Sequence, residues 1–231
     1  MKVNDNLKQY EYYRTELGVL YHGDCLDIMP QLEPVDLVLT DPPYGVSAYA
    51  SGVMGGGVLA KQSAYDATKW DSCTPNKEVF DSVFNHSQNQ IVFGGNYFTN
   101  VLPPSPCWLV WDKDNGKNYF ADCELAYTSF GTSVRKFKYK WQGMLQENAG
   151  KHKEKRYHPT QKPVGLFMQI LLSYAKAGWT VLDPFAGSGT TGLACERIHV
   201  HEYVLIEREE KYCEIIAKRL ELETSQLKLF T

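Results

Sequence analysis

Residues 179–197, WTVLDPFAGSGTTGLACER, restrict the possible folds more than any other stretch of this chain. Thr180 to Leu182 read as a buried strand, Gly187, Gly189 and Gly192 as a turn in G-x-G-x-x-G spacing, and the residues that follow as a helix. A strand that feeds a helix through a glycine turn is half of a parallel crossover unit, so its neighbours belong in an open α/β sheet. The next apolar run, EYVLIERE at 202–209, supplies a parallel-type strand and carries Glu207, twenty residues beyond Gly187. Glu207 then stands at the carboxyl edge of the sheet, where such folds bind ligands, as a candidate acceptor for ribose hydroxyls.

Positions 36–45, DLVLTDPPYG, bring a second polar group to that edge. Leu37, Val38 and Leu39 form a strand that delivers Asp41, Pro42, Pro43 and Tyr44. The prolines lack backbone donors and hold φ near about −65°, so the carbonyls around them project outward instead of closing a ladder or a helix turn. A carboxylate, carbonyl oxygens and an aromatic ring therefore share one stiff loop. A planar group carrying an NH2 could donate to Asp41 and the Pro42 carbonyl while Tyr44 covers its face; a rigid turn after a buried strand is the purely structural alternative. A third strand, LGVLYHG at 17–23, ends at Asp24, a candidate acceptor for an adenine amino group, and 25–32 forms a helical turn before the strand at 35–40.

The glycine spacing and Glu207 formally satisfy a dinucleotide fingerprint. Asp183, Pro184 and Phe185 stand between the strand and the first glycine, however, and put an acid where a pyrophosphate wants donors. No hydride or proton-relay site accompanies them. A cofactor with a cation and an amino-acid portion suits that acid better, and S-adenosylmethionine has both.

Elsewhere, NKEVFDSVFNH at 76–86 is a helix with Val79, Phe80, Val83 and Phe84 on its apolar side, leading to strands at 89–95 and 107–113. ADCELAYTSF at 121–130 reads as a helix or an extended return. VRKFKYKW at 134–141 alternates basic with apolar residues, as a strand with one charged face does. Pro163 opens the helix PVGLFMQILLSYA, and 210–220 is a closing helix. The segments 46–75 and 142–157 read as loops.

At 231 residues the chain suits one domain with elaborated loops. It shows no signal peptide and no long apolar run, so the expectation is a cytoplasmic protein with no membrane partner. Six cysteines with no CxxC pair oppose a disulfide framework, and no histidine–cysteine cluster has zinc spacing, so no metal is expected. Net charge is −3, yet residues 135–162 hold nine basic against two acidic side chains, a local balance of +7. Lys138, Lys140, Lys151, Lys153, Lys155 and Arg156 are the candidate contacts to a nucleic-acid backbone.

DPPYG at 41–45, HPTQKP at 158–163 and DPFAGSGTTG at 183–192 resemble the signature segments of the amino-directed DNA methyltransferases, in the permuted order that places the catalytic segment before the glycine loop. GGNYF at 94–98, VWDK at 110–113 and the IERE of the last strand add to the likeness, which runs from about Tyr21 to Leu220. The resemblance implies an α/β class I methyltransferase fold, Rossmann-like, mostly parallel with one antiparallel strand and helices on both faces. It implies that Asp24, Cys25, Lys162, Asp183, Phe185, Gly187, Ser188, Gly189, Thr190 and Glu207 line the S-adenosylmethionine site, with Lys162 paired to the cofactor carboxylate. Asp41, Pro42, Pro43 and Tyr44 would carry catalysis. The family's cytosine-directed members more often have Ser in place of the first Asp, so Asp41 favours N6 of adenine over N4 of cytosine; RNA methylation, a decayed DNA-binding module and a nicotinamide enzyme are the competing readings. Family members with a defined recognition sequence usually carry a sizeable recognition region, whereas 46–75 and 142–157 offer 30 and 16 residues. The size resembles that of compact phage-type members. Homodimers are frequent in the family, although no feature of this sequence marks an interface.

Overall fold

The computed structural model describes residues 5–45, 53–54, 63–64, 74–116, 121–142, 145–148, 153–158, 160–199 and 201–227. A 3-10 turn at Asp5–Tyr10 leads into β1 (Glu11–Arg14), β2 (Gly18–His22), α1 (Cys25–Ile28) and β3 (Val35–Thr40). The two-residue strands β4 (Val53–Met54) and β5 (Ser63–Ala64) precede α2 (Lys77–Asn85), β6 (Ser87–Phe93), β7 (Trp108–Asp112), β8 (Cys123–Thr128) and β9 (Arg135–Lys138). After the short β10 (Trp141–Gln142) and β11 (Leu145–Gln146) come α3 (Val164–Tyr174), β12 (Thr180–Asp183), α4 (Thr190–Ile198), β13 (Glu202–Glu207) and α5 (Glu210–Leu227).

Nine strands form one sheet in the order β1-β2-β13-β12-β3-β6-β8-β7-β9. The central five, β2 through β6 in that order, run parallel. β8 is antiparallel to both β6 and β7, which makes it the reversed strand the fold class calls for, and edge strand β1 adds a second reversal. Residues 121–130 are thereby an extended return: Cys123 to Tyr127 pair with β7 while Ala126 to Thr128 pair with β6, and ladder bonds on both sides outweigh any local helical preference.

Alternation along the strands sorts the core into two layers. Leu37 and Leu39 of β3, with Tyr203 and Leu205 of β13, pack against α3 and α4, where Leu166, Phe167, Ile170, Leu193 and Ala194 are buried. Val38, with Val204 and Ile206, faces the layer of Ile28 from α1 and Val79 and Val83 from α2. Truncating one such fully buried leucine costs about 2–5 kcal/mol, so the two-faced burial pins strand register. Asn76 caps α2 by accepting from the Val79 N–H at 3.2 Å. Parallel register then aligns the strand ends: Thr40 lies opposite Val92, Asp183 opposite Leu205 and Glu207 opposite His22. Among the described residues no helix is long and apolar enough to cross a membrane.

Candidate active site

That alignment brings Asp24, Asp41, Asp183 and Glu207, from the ends of four neighbouring parallel strands, into the wall of one cavity of about 550 Å³. The volume falls within the range of small-molecule sites. Cys25, Lys162, Phe185, Gly187, Ser188 and Thr190 also line it, so every expected cofactor residue except Gly189 reaches the cavity. Gly189 instead caps α4 at φ 80°, and a Cβ there would stand 2.9 Å from the Ile216 side chain. Its smallness seats the turn on α5. A Cβ at Gly187 would meet only the Phe185 carbonyl, 4.0 Å away, so there the backbone faces open space.

The acids are held by their own chain in different ways. Asp24 caps α1, its Oδ1 accepting from the Leu26 N–H at 2.9 Å. Glu207 accepts from Gly187 N–H and Glu209 N–H, each at 2.8 Å, and burial pushes its carboxyl up to about 7. Asp183 accepts from the Thr40 and Thr191 hydroxyls at 2.8 and 2.6 Å and from the Phe185 N–H at 3.1 Å. Burial raises it to about 6, and these contacts make it a brace for the turn as well as a wall residue. His158 lines the cavity, rests against the Tyr212 ring with centroids 4.6 Å apart, and is driven down to about 3 by burial, so it stays neutral. Sequence reasoning assigns it no role, although HPTQKP contains it and that motif is the available signal.

Asp41 sits at the other end. The Tyr44 hydroxyl donates to Asp41 Oδ1 at 2.5 Å and the Lys162 ammonium to Oδ2 at 2.5 Å, while the Asp41 side chain stays 17% exposed. Lys162 also donates to Tyr44 Oη at 3.2 Å and pairs with Glu124 Oε2 at 3.2 Å, and Lys113 pairs with Glu124 Oε1 at 2.6 Å. The sequence motif directs Lys162 to a cofactor carboxylate; in the structure its ammonium donates to Asp41 and Tyr44 and forms an ion pair with Glu124. Burial disfavours its charge, but the two carboxylates more than compensate and raise its pKa. Glu124 escapes sequence reasoning because it lies in the ambiguous 121–130 stretch, with no motif around it and its partner far along the chain.

Pro43 lines the cavity, whereas Pro42 is buried and Tyr44 reaches the cavity through Asp41. The Tyr44 ring stacks on Tyr97, centroids 4.8 Å apart and planes 14° from parallel, and Tyr97 remains 46% exposed. On its other flank is Gly94, at φ 66°, where a Cβ would fall 2.1 Å from the Tyr44 ring. GGNYF thus leaves space for the aromatic of DPPY.

The basic segment is more braced than its composition implies. Lys138 and Lys140 pair with the two oxygens of Asp114 at 3.1 Å, and Lys136 with Asp112 at 3.2 Å. Phe137, Tyr139 and Trp141 turn inward, as the alternation predicts. The Arg156 guanidinium lies over the Trp141 ring at 4.7 Å and Lys155 over Tyr157 at 4.8 Å. Lys153 and Lys155 are exposed. Lys151 and most of the 46–75 loop lie outside the described residues.

Known proteins resemble this arrangement in sequence and in fold. A family model described as DNA methylase matches residues 58–218. The Type II methyltransferase M2.DpnII of Streptococcus pneumoniae is 29% identical over 92% of this chain and 92% of its own length. Among solved structures, the complex of M1.HpyAVI with SAM superposes with a TM-score of 0.54 at 21% identity over 87% of this chain and 98% of that one. The PvuII DNA methyltransferase, described as cytosine-N4-specific, superposes with a TM-score of 0.59 at 16% identity over 92% and 89%. These structural likenesses speak to the fold.

Proposed function

The chain belongs to the DNA methylase family that modifies the exocyclic amines of adenine or cytosine, and from that premise we propose that it transfers a methyl group from S-adenosylmethionine to N6 of adenine in DNA. The observation that carries the reading is the joining of Asp41 to Asp24, Glu207 and the glycine turn in one cavity. The residues suit the cofactor. Glu207 is held rigidly by two backbone N–H groups and keeps lone pairs for ribose hydroxyls, Asp24 stands nearby for the adenine amine, and Gly187 leaves the backbone open. Five acids in the wall, Asp24, Asp41, Asp183, Glu207 and Glu209, against Lys162 and Arg208 favour a cationic ligand over a pyrophosphate. When bound, S-adenosylmethionine supplies an electrophilic methyl group on a sulfonium.

The chain's part is to align the amine. A carboxylate offers about four acceptor positions, and Tyr44 and Lys162 occupy one on each Asp41 oxygen, leaving others for an amine N–H. With the Pro42 carbonyl as second acceptor, the nitrogen lone pair turns out of ring conjugation and toward the methyl group, a gain from orientation and fixed dipoles. The target base must leave the stack to reach Asp41, at a cost of a few kcal/mol that stacking on Tyr44 or Tyr97 offsets. Incubation with labelled cofactor and DNA, followed by nucleoside digestion, is expected to yield N6-methyladenine. Label in N4-methylcytosine moves the assignment to cytosine, and an absence of labelled DNA across varied sequences overturns the reading.

The DNA track we assign to the basic residues Lys138, Lys140, Lys151, Lys153, Lys155 and Arg156. Exposed ion pairs such as those to Asp114 are weak enough to exchange for phosphate. Replacing Lys151, Lys153, Lys155 and Arg156 together by Ser should lower DNA affinity and flatten its salt dependence by about one unit for each phosphate no longer neutralised, with cofactor affinity unchanged. An unchanged salt slope places the track elsewhere.

A further inference from the structure

We infer that Glu124, with Lys113 behind it, is a positioning residue for methyl transfer: it anchors the Lys162 ammonium that orients Asp41, and it sets the net charge around the reacting nitrogen. The inference rests on the proposed function and extends it to residues that touch no substrate. Asp41, Lys162, Glu124 and Lys113 form a continuous chain with links of 2.5, 3.2 and 2.6 Å, contributed by the end of β3, the approach to α3, β8 and the residue after β7. Lys162 is 5% exposed and Glu124 24%, so water screens the chain weakly. Two carboxylates and two ammoniums balance.

That balance bears on the reaction because the charge moves. As the amine nitrogen's lone pair forms the new N–C bond, the old S–C electron pair returns to sulfur. Positive charge leaves the sulfonium, develops on the nitrogen beside Asp41, and is discharged when the nitrogen releases its proton to solvent. Deleting the Glu124 charge leaves one uncompensated ammonium near that nitrogen and frees Lys162 from one of its two carboxylate partners. Asp41 also faces Tyr44 from its own loop, Asp183 from β12 and, beyond Tyr44, Tyr97; of these groups Glu124 and Asp183 are the negative ones. Glu124 raises the Asp41 carboxyl and Lys162 lowers it, after burial, which raises it most.

The test is single-turnover methyl transfer to DNA as a function of pH, with S-adenosylhomocysteine affinity measured in parallel. Glu124→Gln is expected to slow transfer about 10–100-fold, with affinity kept within about twofold, and to shift the acid limb to lower pH, because a negative neighbour of Asp41 is gone. The double variant Glu124→Gln/Lys113→Gln restores the balance and is expected to recover part of the rate. Glu124→Asp, which keeps the charge and guards against a folding failure, should retain the wild-type acid limb. A Glu124→Gln protein with unchanged rate and acid limb overturns the inference. So does a slowed one whose acid limb stays put and whose rate the double variant does not recover, and so does a displaced limb in Glu124→Asp. Wild-type protein that labels no DNA breaks the proposed function instead, which separates the two failures.

Discussion

Asp41 and Asp183 invite comparison. Each ends a buried parallel strand, each precedes a proline, and their strands are neighbours in the sheet. Burial pushes both carboxyls up. Around Asp183 the partners are neutral, two threonine hydroxyls and a backbone N–H, and the carboxyl reaches about 6. Around Asp41 the partners are an ammonium and a phenol, themselves tied to Glu124 and Tyr97. One carboxylate is enclosed by neutral donors from β3, its own turn and α4, and the other is gripped from behind while its front stays reachable. The lesson is that an Asp-Pro at a strand end acquires its function from what stands opposite it across the sheet.

The comparison breaks most readily at Asp41. Asp41→Asn replaces an acceptor oxygen by an NH2 donor that faces donors and should lower methyl transfer about 1,000-fold or more while S-adenosylhomocysteine affinity, measured by calorimetry, changes less than about threefold. Equal losses in both readouts would erase the distinction between the two acids. Gly94→Ala is next: a Cβ only 2.1 Å from the Tyr44 ring, on a backbone at φ 66°, must displace the ring that orients Asp41. We expect a roughly 10–100-fold loss of transfer with the fold intact by circular dichroism, an effect of misalignment.

Asp183→Asn should act on the opposite side of the comparison. It keeps the shape but sets an NH2 against one of the two hydroxyl donors, so stability in urea should fall by about 1–3 kcal/mol, with cofactor affinity weakened about tenfold as the turn loosens and transfer by the saturated enzyme nearly preserved. The same variant sharpens the contrast by pH. The folded carboxyl titrates near 6 against 3.8 for an ordinary aspartate. The folded state therefore holds more protons between those values, and the Asp183 contribution to stability falls as pH rises from about 4 to about 6, with a steepest slope of about 1.4 kcal/mol per pH unit. Urea unfolding at several pH values should show that fall in wild type minus variant; a flat difference means Asp183 is ionised throughout.

Much of this was legible along the chain. The strand expected at 35–40 is β3, Val35–Thr40, because an apolar run closed by Pro-Pro leaves one place to stop. The glycine turn was equally plain, since G-x-G-x-x-G between a strand and a helix tolerates few conformations. The closing helix, expected to end at 220, runs to Leu227, because its last core-facing residue, Leu220, marks where burial stops and not where the helix does. The partner of Lys162 was not legible. Its position in HPTQKP suggests a ligand carboxylate, and only the sheet shows that two carboxylates of the chain itself lie within reach.

The sequence by itself determined the local pieces: which runs are strands, which turns require glycine or proline, and which acids end at the ligand edge. These follow from periodicity and from backbone restrictions that act over a few residues. Tertiary structure alone decided the pairings. Residues 121–130 became a reversed strand because β6 and β7 offered ladder partners on both sides, and that strand carries Glu124 to within 3.2 Å of a lysine on the approach to α3. Asp41 and Lys162 are 121 positions apart, and their contact exists because parallel register sets the strand ends at one edge while the two core layers lock that register. Charge pairing across such separations depends on three-dimensional packing and leaves no periodic trace in the order of residues.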